Sequence, residues 1–186
     1  MSGLLIAVVV AVVLALVVMG AYNRLVGLRQ RANQAFADID VQLQQRHDLI
    51  PNLVETVKGY AAHEKGTLEA VTNARAAAAG ASTVDQKVQA ENMLTGALRQ
   101  LFAVAEAYPD LKANTNFVRL QDELADIENK LAAARRFFNS AVSEFNAAIQ
   151  QFPAVLLAAP FGFTERAFFD VGADRATVAA APQVKF

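Results

Sequence analysis

Residues 4–22, LLIAVVVAVVLALVVMGAY, decide how the rest of the chain is organised. The stretch contains no charged residue and no proline. As an α-helix its length is ~28 Å, close to the ~30 Å hydrocarbon core of a bilayer. No turn signal separates it from the amphipathic sequence that follows. The sequence therefore predicts a short external N-terminus (1–3) and a transmembrane helix (4–22) in contact with the lipid bilayer, continuing directly into a helical domain.

The flanks of this stretch favour an uncleaved anchor over a secretory signal peptide. No Lys or Arg precedes it, and residues 18–21, VMGA, make a poor cleavage site. Arg24, Arg29 and Arg31 follow it closely. By the positive-inside rule, the N-terminus lies outside and the helical domain is cytoplasmic. The alternative is that the three arginines only solvate the first helix.

Composition excludes several classes of function. With 186 residues, the chain is long enough for one domain with a substantial core beyond the anchor. Its net charge of -1 gives no general affinity for nucleic acid. It has no cysteine, which excludes disulfides, zinc–thiolate sites and thiol catalysis. A nucleic acid is therefore not expected among its partners.

Apolar residues recur at seven-residue intervals from Phe36 to Ala78, as in a coiled-coil seam. The pattern keeps its phase across Pro51, whereas a break usually resets the phase. We therefore favour one long helix over residues 21–79, kinked near Pro51. The alternative is two helices, with Asp48 capping the second.

The rest of the chain predicts two further helices. Residues 82–85, STVD, are a capping signal, and residues 108–110, YPD, end the helix that follows it. The last helix repeats its apolar residues every seven positions and should end before Pro153. Short connections make neighbouring helices antiparallel. The predicted fold is all-α: an elongated up-down bundle over residues 23–152, with three long helices, or four if Pro51 breaks the first.

The C-terminal tail, residues 153–186, is unusually aromatic. From residue 152 onward the chain holds half of its 12 phenylalanines, whereas disordered tails are poor in aromatic residues. We expect this tail to pack on its own bundle or on a neighbouring subunit; the alternative is contact with the bilayer surface. Its candidate interaction residues are Phe161, Phe163, Phe168 and Phe169.

Three blocks of sequence together resemble a known family. They are residues 39–60 (IDVQLQQRHDLIPNLVETVKGY), 108–113 (YPDLKA) and 134–139 (ARRFFN). The chain resembles the LemA family of bacterial membrane proteins over nearly its whole length. The resemblance implies a single-pass protein of the bacterial plasma (inner) membrane, with an external N-terminus and a cytoplasmic helical bundle. It implies no catalytic mechanism.

The residues themselves predict no catalytic, cofactor or metal site. His47 and His63 lie too far apart on one helix to share a ligand, and His63 is not followed by a second histidine at zinc-binding spacing. Asp38, Asp40 and Asp48 do not form a carboxylate pair beside a nucleophile. We expect His47 to lie as a polar flank near the kink and His63 to be solvated.

Two charged residues, Arg46 and Glu64, interrupt the apolar seam. Charges on a seam are costly unless paired. We expect them to pair with charged groups on the last helix, such as Glu123, Asp126 or Arg135. The alternative is that they control helix register or make a polar contact between subunits. The candidate interaction or structural residues of the first helix are Asp40, Arg46, Asp48, Pro51, Asn52 and Glu55.

Together these features predict a non-enzymatic, membrane-anchored scaffold. It should form a homo-oligomer or recruit an unidentified membrane or cytosolic protein. The alternative is an accessory or sensory protein that transmits a membrane signal through the kinked first helix.

Overall fold

The computed structural model describes residues 2–169, and within this range the chain is helical with no β-strand, as predicted. Four helices are long and two are single turns. Their bounds are α1 Ser2–Lys58, α2 Lys65–Gly80, α3 Val84–Ala105, α4 Pro109–Lys112, α5 Thr115–Gln150 and α6 Val155–Ala158. The described residues fall into two compact units. Unit 1 comprises residues 2–41 and Leu131–Phe168, and unit 2 comprises Gln42–Lys130 and Phe169.

Unit 2 is an antiparallel four-helix bundle. Arg75 of α2 donates from Nε to the carbonyl oxygen of His47 in α1 at 2.7 Å, so α2 runs back along the end of α1. The Tyr108 hydroxyl, after α3, donates to Glu64 Oε1, before α2, at 3.3 Å, so α3 runs back along α2. The helices enclose one apolar core, which includes Ile50, Leu53, Val57, Leu68, Val71, Leu94, Leu98, Leu101, Phe117, Leu120 and Leu124.

The prediction for the end of the first helix was wrong. α1 continues through Pro51 and ends at Lys58, and residues 59–64 form the reversal into α2. Gly59, a poor helix former, lies at the break. The seven-residue pattern keeps its phase because Val71, Ala74 and Ala78 of α2 bury themselves in the same core as α1. The sequence pattern of two helices that form a hairpin and face one core is therefore the same as that of one long helix.

Pro51 is accommodated in α1 by a contact from the next helix. A proline has no amide hydrogen, so the carbonyl four residues earlier loses its helical donor. That carbonyl belongs to His47, and the Arg75 guanidinium donates to it. The helix reversal at 59–64 is what brings Arg75 back to this position. Asp48, which we considered as a helix cap, lies inside α1 and accepts from Gln44 Nε2 at 2.8 Å.

The predicted start of the middle helix is confirmed. Thr83 is the N-cap of α3: its hydroxyl accepts from the Gln86 amide at 3.2 Å, and the Gln86 side chain accepts from the Thr83 amide at 3.3 Å. This capping box satisfies two donors at the helix start. Pro109 follows α3 but also begins the single-turn helix α4. The last long helix, α5, ends at Gln150, two residues before the predicted end.

In unit 1 the first and last long helices run antiparallel. The rings of Phe36 and Phe138 lie 5.5 Å apart, and Arg31 Nη1 lies 2.9 Å from Glu144 Oε2. Residues 2–20 of α1 are exposed. Among the described residues, this end of α1 provides the one segment long and apolar enough to cross a membrane. Such a segment suggests a membrane anchor.

Replacing Arg75 with methionine should lower the free energy of unfolding by about 1.5–3 kcal/mol, because the His47 carbonyl loses a charged donor. In a Pro51→Ala background the same change should cost less than about 1 kcal/mol, since the alanine amide can donate to that carbonyl. Urea unfolding of the detergent-solubilised full chain, followed by circular dichroism, measures both values.

The matched control is Arg119→Met, which removes a surface arginine 3.8 Å from Glu123 and should change stability by less than about 1 kcal/mol. An equal loss from Arg75→Met in both backgrounds would show that the proline and the guanidinium are not coupled.

Candidate functional site

A buried charged cluster lies inside the bundle of unit 2. It consists of Arg46 and His47 of α1 and Glu91 of α3, each at most 5% exposed. Glu91 Oε2 lies 2.9 Å from Arg46 Nη1, and Glu91 Oε1 lies 2.6 Å from His47 Nε2. Both carboxylate oxygens therefore have a partner on α1. We call these three residues the buried ion cluster.

Arg46 extends the buried ion cluster to a third helix. Its Nη2 donates to Thr95 Oγ1 at 3.0 Å and lies 3.4 Å from Glu128 Oε2 of α5. Removing a guanidinium from water is costly unless its donors are satisfied. Here three side chains from α3 and α5 share that role. The cluster therefore fixes how α1, α3 and α5 align, because sliding one helix would leave a buried charge unpaired.

An open cavity of about 340 Å³ adjoins this cluster. Arg46, Arg99 and Glu128 line it together with apolar residues that include Phe102 and Leu124. The volume is at the small end of the range for ligand pockets. Chemically, the arrangement provides cationic and anionic groups beside an apolar surface.

The described residues offer no group of three His, Cys, Asp or Glu side chains placed to hold a metal ion. His63 is exposed, as expected. His47 is buried in the ion cluster, so its prediction as a polar flank was wrong. His47 is buried because positions 43, 47 and 50 share one face of α1, and that face is turned into the core.

The prediction for the seam charges is confirmed only in part. Arg46 does pair with the last long helix, through Glu128 and not Glu123 or Asp126, but it also pairs with Glu91 of α3. Glu64 instead accepts from the Tyr108 hydroxyl. Glu91 was not identified from the sequence, although the signal exists. It stands on the same three–four spacing as the buried Leu94 and Leu98 of α3. A buried acidic residue in an apolar row needs a buried basic partner, and Arg46, which also interrupts an apolar row, is that partner.

The other first-helix candidates are not brought into the cluster. Asp40 lies in unit 1 and is half-buried. In unit 2, Pro51, Asn52 and Glu55 are exposed. Glu55 Oε1 lies 3.3 Å from Lys58 Nζ, an exposed pair of adjacent turns. Of the six candidates, only Arg46 therefore contributes to the buried ion cluster.

A second notable region is the aromatic end of unit 1. The ring of Tyr22, the last residue of the apolar stretch, lies 5.1 Å from Phe161 and 5.7 Å from Phe163. The Arg29 guanidinium lies 4.9 Å from the centre of the Phe163 ring, within cation–π range. Phe163 is buried, whereas Phe161 and Phe168 are exposed. Phe169 is buried but belongs to unit 2.

The first part of the C-terminal tail is held by hydrogen bonds from two asparagine side chains. The Asn146 side chain accepts from the amide of Arg166 and donates to its carbonyl, both at 2.9 Å. Arg166 Nη1 also donates to Asn33 Oδ1 at 2.7 Å. Burial lowers the pKa of the Arg166 guanidinium, and the nearby charge of Arg29 lowers this pKa further. The tail as far as Phe168 thus packs within unit 1; Phe186 lies outside the described residues.

Comparison with known proteins supports the resemblance seen in the sequence. The model of the LemA family matches residues 35–186. This range contains the whole buried ion cluster and begins after the apolar stretch. A search of curated proteins returns no match.

Replacing Arg46 with methionine should destabilise the protein by about 3–5 kcal/mol, because Glu91 then keeps a buried charge without its guanidinium partner. The double variant Arg46→Met, Glu91→Met should recover most of this loss, since it removes both charges. Chemical unfolding of the full chain in mild detergent gives the comparison.

Arg31→Met is the control, because it breaks the half-exposed pair with Glu144 and should cost less than about 1 kcal/mol. If the double variant were as unstable as Arg46→Met alone, the loss would come from packing and not from an unpaired charge.

Proposed function

We propose that this chain, which belongs to the LemA family, is a non-enzymatic scaffold anchored in the bacterial plasma membrane. The observation that carries the proposal is the uncharged, exposed start of α1. Leaving such a run of Leu, Val and Ile in water is unfavourable, by roughly 25 cal/mol for each Å² of apolar surface. A bilayer removes that surface from water while the helix satisfies its own backbone.

The apolar start of α1 and the part of α1 that packs in unit 1 belong to one helix. The anchor therefore holds unit 1 directly at the membrane. Arg24, Arg29 and Arg31 follow the anchor, which supports an external N-terminus and a cytoplasmic bundle.

The scaffold role rests on how the helices are held together. The buried ion cluster gives the bundle of unit 2 a fixed alignment, which suits a protein that presents surfaces to a partner. In the proposed role, the surface of α1 around Pro51, Asn52 and Glu55 contacts a partner protein or a second copy. The aromatic residues of the tail offer a further contact surface.

Single cysteines test the anchor and its orientation, because the native chain has none. In intact cells, a membrane-impermeant maleimide should label Ser2→Cys but not Ser143→Cys, an exposed position on α5. After lysis both should react. Labelling of Ser143→Cys in intact cells would reverse the orientation. Loss of residue 2 from the purified protein would indicate a cleaved signal peptide.

Self-assembly is tested by the mass of the full chain in a mild detergent, measured by light scattering with correction for the bound detergent. We expect a mass that is a multiple of the 20.0 kDa chain. A strict monomer, unchanged on increasing the protein concentration, would contradict self-assembly. It would favour the accessory or sensory role, in which α1 carries a signal from the membrane.

A further inference from the structure

The longest uncharged stretch outside the anchor lies at the end of unit 1 that contacts the anchor. Between Glu144 and Glu165 the sequence contains no charged residue. The end of α5, the single-turn helix α6 and the turns around it occupy this stretch. We refer to residues 151–163 as the apolar turn.

Much of the apolar turn is not covered by protein. Phe152 is 80% exposed, Leu156 is 65% exposed and Phe161 is 53% exposed. Exposed apolar residues are common singly, but three large ones within ten positions form a patch that is costly in water. The turn is held in place from its other side, where Ala154, Ala158 and Phe163 are buried.

The contacts of the apolar turn locate it along α1. Phe152, Pro153 and Ala154 line a cavity of about 250 Å³ together with Val17 and Gly20 of the anchor. Phe161 packs edge-on against Tyr22. The turn therefore lies at the level where the uncharged part of α1 ends, which is the level of the lipid headgroups if the anchor spans the bilayer.

The chemistry of this level fits a lipid surface. Tyrosine and phenylalanine near the end of a spanning helix occupy the boundary between hydrocarbon and headgroups. Arg24 lines the same cavity as Phe152, which places a cation where lipid phosphates lie. The apolar patch is continuous with the apolar surface of the anchor, so the same lipids can cover both.

We propose that the apolar turn is a second lipid-binding element, in which Phe152, Leu156 and Phe161 insert among the lipids beside the anchor. Unit 1 is then attached to the bilayer at two places, the start of α1 and the turn after α5. This proposal rests on the proposed membrane anchoring, and the experiment separates the two.

Tryptophan fluorescence in vesicles provides the test, because the native chain has no tryptophan. The full chain carrying Leu156→Trp is reconstituted into vesicles of phosphatidylcholine and phosphatidylglycerol. Part of the phosphatidylcholine is then replaced by lipid brominated near the top of an acyl chain. We expect emission at a shorter wavelength than in water and a loss of intensity with the brominated lipid. Phe152→Trp should behave in the same way. Agreement between the two positions would show that the result does not come from a local effect of one substitution.

Two controls bracket the result. Leu14→Trp lies within the anchor and should be quenched by lipid brominated deeper in the acyl chain. Phe137→Trp is the matched control, because Phe137 is an exposed aromatic residue of unit 1 that contacts Arg31. Arg31 lies ~13 Å further along α1 than Tyr22, so a tryptophan at 137 should not be quenched.

The outcomes distinguish the proposals. Quenching of Leu14→Trp without quenching at 156 or 152 would overturn the lipid-binding turn and leave the anchor intact. No quenching at any position would overturn the anchoring itself. A shift to shorter wavelength at 156 without bromine quenching, dependent on protein concentration, would assign the patch to a contact between copies of the chain and overturn the lipid assignment.

Discussion

The carbonyl oxygen of His47 is the point on which the arrangement of unit 2 depends. Pro51 deprives it of its helical donor, and Arg75 of α2 supplies another. The side chain of the same His47 reaches Glu91 of α3, and its neighbour Arg46 reaches Glu91 and Glu128 of α5. One turn of α1 is thereby connected to every other long helix in the bundle. Apolar packing alone tolerates small shifts, whereas these polar groups lose their partners as soon as a helix slides.

This polar layer explains why a charged turn is tolerated inside an otherwise apolar core. The cost of burying Arg46 and Glu91 is offset only in one alignment of the helices. The gain is therefore a unique register more than a large net stability. Such a register suits a protein whose proposed role is to present fixed surfaces. Arg46 and Glu128 of this polar layer also line the adjoining cavity.

Unit 1 combines a segment suited to lipid with a segment suited to water. The first half of its long helix exposes a continuous run of apolar side chains, and the second half packs against α5. The tail returns to the point where these two patterns meet and packs its aromatic rings around Tyr22. The Asn146 side chain then hydrogen-bonds to the backbone of Arg166, and Asn33 Oδ1 accepts from its guanidinium.

The sequence by itself determined the all-α class, the apolar end of α1, the start of α3 after the capping signal at residues 82–85, and the family. Each of these depends on the composition or spacing of residues that are close together in the sequence, and not on contacts between distant residues. Only the tertiary structure decided the reversal after Lys58 and the partners of Arg46 and His47. A seven-residue period states which face of a helix is buried, but it is the same in one long helix and in two arms that face one core. It also leaves open which distant residue lies opposite each buried charge, because that depends on how separate helices align in space.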